Sequence, residues 1–200
     1  GRFDETRPYF VMEYVDGIPL EKIIHKIPLD KAKAVAVTLA RALAYLHRND
    51  IIHPALRSSE IIIIDSVTHA KLIDFGPARV SCHRNGTYSV NGIISGNLSS
   101  FAPEIILLRE NTKASNVYSL AAVVTEMFTG QRLFGTFSTP IDLASKIIGD
   151  PAQSLTELRP DLDFPKPVVE ILKECLEKDP ENRPSMADLL AVFNRAWPEY

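Results

Sequence analysis

The residues able to do chemistry are thinly spread, and one group of them is close in sequence. His53, Arg57 and Glu60 precede a short isoleucine-rich stretch, and Asp74 follows it. Together they offer a ring nitrogen, a guanidinium and two carboxylates, types that can hold a cation or grip a phosphate when a fold brings them together. The other histidines, His25, His47, His69 and His83, share no spacing with one another or with Cys82 and Cys175 that suggests a metal site. The two cysteines are too few and too far apart for a disulfide framework or a metal knuckle. Both are expected as free thiols in a reducing compartment, which reads as cytoplasmic.

Positioning that group falls to a small hairpin. Ile61 to Ile64 and Ala70 to Ile73 read as two strands separated by Asp65-Ser66-Val67-Thr68, with catalytic-type loops on both sides. Upstream, Tyr9 to Val15 is aromatic and β-branched and stops at Asp16-Gly17, the pattern of a strand closed by a turn. Beyond Asp30, a candidate N-cap, Ala32, Val35, Ala36, Leu39, Ala42, Leu43 and Leu46 recur at helical spacing and predict a helix with one buried face. Ser81 to Ser100 dissolves into Ser, Asn and Gly and reads as a long loop, a class that tends to be functional or disordered. Val117, Leu120, Ala121, Val124 and Phe128 then mark a second buried helix stopped by Gly130. Further helices are expected over Pro140 to Ile148, Pro167 to Leu176 and Ser185 to Phe193, the last with Ser185 and Asp188 spaced as a capping box.

The 200 residues, nearly half of them apolar and 24% charged without long single-sign blocks, suit one globular domain. A net charge of −3 argues against a broad nucleic-acid footprint. No apolar run approaches the roughly 18 residues needed to span a bilayer, and the N-terminus is not a signal peptide.

Six segments fall in an order that resembles the protein kinase superfamily, over nearly the whole chain. "YFVMEYVDG" (9–17) resembles the last small-lobe strand and the hinge, with Met12 as gatekeeper. "IIHPALRSSEIII" from Ile51 resembles the catalytic loop, "IDFG" ending at Gly76 the D-F-G motif, and "FAPEII" from Phe101 the A-P-E motif. "SNVYSLAAVVTEMFTG" resembles the central buried helix, and "EKDPENRP" the stretch bearing the arginine partner of the A-P-E glutamate. The hinge phrase is closer to bacterial Ser/Thr kinases than to tyrosine kinases.

The resemblance implies a mainly α fold: a kinase-like large C-terminal lobe (19–200) with short β-hairpins. Of the small lobe, only the last strand and hinge (1–18) are expected. It implies a hinge and adenine floor at Glu13, Val15 and Ile62, a metal-binding position at Asp74, and a spine pair of His53 and Phe75. Glu104 and Arg183 are implied as an ion pair, and Asn116 stands where the family has a capping aspartate. The departures bear on activity. The loop aspartate that accepts the substrate proton is replaced by Ala55 and the metal-binding asparagine by Glu60. The loop arginine is Pro54, Arg57 replaces the loop lysine, and Asn97 and Ser100 replace the threonine and tyrosine before A-P-E. The stretch also begins just before the hinge, with neither a glycine-rich loop nor a lysine strand. The expectation is therefore a pseudokinase lobe that docks a protein partner or a missing small lobe at the hinge strand, with no nucleic acid and no cofactor. ATP and magnesium enter only if a small lobe lies upstream. The alternative is a divergent Ser/Thr kinase with that upstream lobe, in which Glu60 and Asp74 manage metal together. The stronger expectation for Asp74 is a loop-stabilising hydrogen bond, and for His53 a packed, non-catalytic ring.

Overall fold

Helix α1 (Leu29–Arg48) forms because its apolar residues return every three or four positions, and Ala32, Val35, Ala36, Leu39 and Leu43 are all buried. The computed structural model describes residues 11–64, 69–75, 79–80 (backbone only) and 98–200. Asp30 is not the N-cap. Pro28 occupies that position in an extended conformation with no side-chain cap, so Asp30 already lies in the first turn. There its charge meets the positive end of the helix dipole.

A three-stranded antiparallel sheet lies beside α1, in the order β1 (Ile18–Pro19), β3 (Ile61–Ile64), β4 (His69–Leu72). Ile18 pairs with Ile63, and Ile61 with Leu72. A second pair joins β2 (Ile51–Ile52) to β5 (Arg79–Val80). The hairpin is present with its second strand shifted one residue toward the N-terminus.

The strand expected over Tyr9 to Val15 is corrected. Tyr9 and Phe10 lie outside the described residues, and Val11–Asp16 is not in a strand. No described strand forms a ladder with that segment, whereas β3 pairs with Ile18–Pro19. Gly17 lets the chain make that approach: a Cβ there would lie 2.4 Å from the Ile63 carbonyl oxygen and 2.5 Å from Ile62 Cγ2.

Residues 81–97 of the expected loop lie outside the described residues. After them come α2 (Pro103–Ile106), a short helix not foreseen, and α3 (Lys113–Thr129). Every residue of α3 from Ser115 to Thr129 is buried, so it is the central strut and not an amphipathic surface helix. A Thr112–Ser115 capping box opens it, and Gly130 closes it in the left-handed conformation at φ 66°. Helices α4 (Pro140–Gly149), α6 (Lys166–Cys175) and α7 (Met186–Ala196) follow the expected positions, with a short α5 (Leu155–Leu158) added. Ser185 and Asp188 form the capping box that starts α7. Helix α1 packs on α3 and α7, and α3 on α5 and α6. No helix among the described residues is long and apolar enough to cross a membrane.

Candidate catalytic-loop site

The loop from His53 to Glu60 joins β2 to β3 and is anchored from below by two asparagines. The Asn116 side chain, on α3, accepts the His53 backbone N–H at 2.8 Å and donates to the His53 carbonyl at 2.9 Å. An aspartate there could only accept, so the amide satisfies a carbonyl that the acid would face with like charge. Asn111 donates to the same carbonyl at 3.0 Å and to that of Pro54 at 2.9 Å. His47 on α1 reaches the Asn116 oxygen at 3.3 Å.

The His53 ring is fully buried. Its Nε2 donates to the Ile73 carbonyl at 3.1 Å and its edge meets Phe75 with ring centres 5.2 Å apart, while Nδ1 has no partner among the described residues. Burial holds its pKa below the ordinary histidine value, although Glu60 and Asp74 act in the opposite direction. A neutral, enclosed ring is suited to packing, not to relaying protons.

Ala55 is half-buried against the core and carries no acceptor. Arg57 Nε donates to Glu60 Oε1 at 3.0 Å, and Ser59 Oγ donates to the same oxygen at 3.0 Å. Glu60 is thus paired with a cation from its own loop. Asp74 is exposed, at φ 56°, a left-handed conformation that few non-glycine residues adopt. Among the described residues no group of three or more His, Cys, Asp or Glu side chains could hold a metal.

The residues expected as hinge and adenine floor, Glu13, Val15 and Ile62, are placed as follows. Glu13 is exposed and pairs with Lys71 of β4, a surface ion pair worth little to stability. Val15 is half-buried, and Ile62 is buried in mid-sheet between Pro19 and Lys71.

Glu104 and Arg183 meet through two bonds of 2.8 and 2.9 Å. Ser115 Oγ adds a third donor to Glu104 at 2.6 Å. Arg183 also donates to the carbonyls of Ala114, Glu177 and Lys178 and lies over the Tyr118 ring at 4.9 Å. Burial pushes the Glu104 carboxyl up, but the bonds from Arg183 and Ser115 outweigh it and hold the group below its ordinary value. Sequence reasoning missed Asn111 and Ser115. The Thr-x-x-Ser spacing before α3 could have flagged Ser115, whereas Asn111 acts on residues 57 or more positions away and leaves no local signature.

Comparison with known proteins places this geometry. Residues 3–193 match the family described as the protein kinase domain. Serine/threonine-protein kinase PknB of Mycobacterium tuberculosis is 33% identical over 205 residues, covering 96% of this chain and 31% of PknB. Serine/threonine-protein kinase STY17 of Arabidopsis thaliana is 29% identical over 192 residues, covering 92% of this chain and 31% of that protein. The chain therefore spans about a third of the length of these curated relatives. The crystal structure of the Rad53 kinase domain and SCD2 superposes with a TM-score of 0.68 at 24% identity, over 90% of this chain and 62% of that one. That likeness extends to the fold alone. With the family match covering nearly its whole length, the chain belongs to the protein kinase domain family.

Proposed function

We propose that this chain is the helical lobe of a pseudokinase, a protein-binding or scaffolding module that does not transfer phosphate. The observation that carries the reading is the Arg57–Glu60 pair in a loop whose proton-acceptor position is Ala55. Kinase catalysis is mostly positioning and charge neutralisation by metal, with a loop carboxylate as base. Loss of a positioned base typically costs about 10² to 10⁴ in rate. Here the loop balances its own charge and is tied down by Asn111 and Asn116, so neither metal nor nucleotide is needed to order it.

The hinge segment supports a docking role. Val11, Met12 and Tyr14 are 88%, 70% and 86% exposed, an apolar strip that fits a protein partner or a small lobe. Phe3, Tyr9 and Phe10, expected in the same strip, lie outside the described residues. The buried free thiol of Cys175 fits a reducing, cytoplasmic setting. No cofactor is proposed unless a small lobe precedes this region, in which case ATP and magnesium would bind between the two.

The test is incorporation of labelled γ-phosphate from ATP into the chain or a generic Ser/Thr peptide. Neither the wild type nor an Ala55→Asp/Glu60→Asn variant should incorporate label. Magnesium-dependent incorporation by the wild type overturns the reading. A second reading, a divergent kinase within a longer chain, is favoured by the retained, exposed Asp74. It predicts label incorporation by the longer chain that is lost on Asp74→Asn.

A further inference from the structure

The short turn Ile24–Lys26 meets the C-terminal end of α3 through two titratable side chains that the catalytic loop does not use. Ile24 and the nearby Leu20 are buried, and the turn packs against α3. His25 Nδ1 lies 3.1 Å from the Gly130 carbonyl oxygen, and its Nε2 lies 3.6 Å from Glu126 Oε1. The imidazole is half-exposed, whereas Glu126 is buried.

A carbonyl oxygen only accepts, so Nδ1 carries a hydrogen and donates it. Nε2 then presents either a lone pair or a second N–H to the carboxyl group. With both groups unprotonated, a lone pair faces a carboxylate and the contact is repulsive. A proton on either partner removes the repulsion, as imidazolium beside carboxylate or as imidazole beside the neutral acid. The surroundings pull in both directions. Burial pushes the Glu126 carboxyl up, while the charges of His25 and of Arg132, in the loop after α3, act against it. The negative end of the α3 dipole favours imidazolium. Arg159 reaches the same helix end, donating to the Thr129 carbonyl at 3.3 Å, and Lys26 is the neighbouring charge on the turn itself.

We propose that His25 and Glu126 hold one proton between them and act as a pH-sensitive clasp, which fastens the Ile24–Lys26 turn to the end of α3 and releases it when that proton leaves. The clasp is closed on the acid side and opens as pH rises, opposite in sense to the buried His47 and His53. The turn follows β1 and the exposed Val11, Met12 and Tyr14, so the clasp sets how firmly that strip is tethered to the core. It stands independently of whether the lobe transfers phosphate.

The experiment is amide hydrogen exchange on the whole chain at about pH 6 and about pH 8.5, on either side of the ordinary histidine range, expressed as protection so that base catalysis of exchange cancels. The reporters are the Lys26 N–H, bonded to the Ile23 carbonyl at 2.8 Å, and the Gly130 N–H, bonded to the Glu126 carbonyl at 2.8 Å. The Trp197 N–H, bonded to the Phe193 carbonyl at 2.9 Å, is the remote reference. Relative to Trp197, protection at Lys26 and Gly130 should fall about two- to fivefold at the higher pH, the value of a partly exposed charge pair. Glu126→Gln and His25→Gln should each remove that pH dependence, and the half-exposed His25 keeps the comparison readable if Glu126→Gln does not fold. Equal protection at both pH values in the wild type overturns the proposal. So does an undiminished fall in a folded variant.

Discussion

Glu104 illustrates how one side chain is defined by residues remote in sequence. Its carboxylate is held by Arg183, 79 positions away, and by Ser115, with both oxygens bonded. Glu104→Gln should cost about 3–5 kcal/mol, because it strands the Arg183 charge, and the loss should appear as a lower urea midpoint. A Glu104→Leu/Arg183→Met pair should cost less than the sum of its single variants, since removing both charges leaves neither uncompensated. The buried titratable groups also set a pH dependence. Burial lowers the pKa of His47 and of His53, so the unfolded chain binds more protons as pH falls through about 6.5, and stability declines there. Glu104, held low, contributes stability that is lost at still more acid pH. Glu126 works the other way: burial raises its pKa, so its contribution is present at acid pH and lost as pH rises through the folded value. Two histidines against one carboxylate leave the net sign unfavourable on acidification. Urea midpoints at about pH 7 and about pH 5.5 should show a decline, which His53→Phe makes shallower and Glu126→Gln makes steeper. The substitutions at positions 55 and 60 were legible from motif spacing. That Glu60 takes its counter-charge from Arg57 was not, because a short pattern cannot fix a side-chain direction within a loop.

At the scale of elements, what the sequence made legible is what is encoded locally. Helices α1, α3, α4, α6 and α7 announce themselves through periodicity, the left-handed Gly130 stop and the Ser185–Asp188 cap. Ser185→Ala should therefore cost about 1 kcal/mol, read as a fall in midpoint, with Asp188 losing the hydroxyl bond to its carboxylate and the acceptor of its backbone N–H while keeping the bond from the residue 185 backbone N–H. Strand β1 was misplaced because strand formation depends on a partner edge, and the partner, β3, lies more than forty residues downstream. Asp30 was misassigned because Pro28 fixes the helix start without a side-chain cap. Gly17 provides the check on the corrected β1. A Cβ there must push against the Ile63 backbone oxygen at 2.4 Å, which cannot swing aside as a side chain can. Gly17→Ala should lower stability and loosen amide exchange at Ile18 and Ile63 while leaving α6 and α7 protected. Unchanged exchange at Ile18 and Ile63 would mean that β1 does not pack against β3 in this way.

At the largest scale, this stretch belongs to the protein kinase domain family, Val11, Met12 and Tyr14 are exposed, and the loop from His53 to Glu60 pairs its own charges. The exposed Val11, Met12 and Tyr14 should make the chain associate through that strip. Light scattering over a concentration series should show mass rising for the wild type and flat for a Val11→Glu/Tyr14→Lys variant; identical curves would remove the strip as a docking surface. On the proposed reading, the loop orders itself through Arg57–Glu60, Asn111 and Asn116 without metal or nucleotide. It is tested most directly by thermal unfolding with millimolar ATP, with and without magnesium. A ligand present at about 100 times its Kd stabilises a protein by about 2.7 kcal/mol. At this chain length each kcal/mol moves the midpoint by about 2–4 °C, so real nucleotide binding would register as roughly 5–10 °C. A self-ordered loop should give superimposable transitions under all conditions. A magnesium-dependent rise of several degrees that is lost on Asp74→Asn would contradict it.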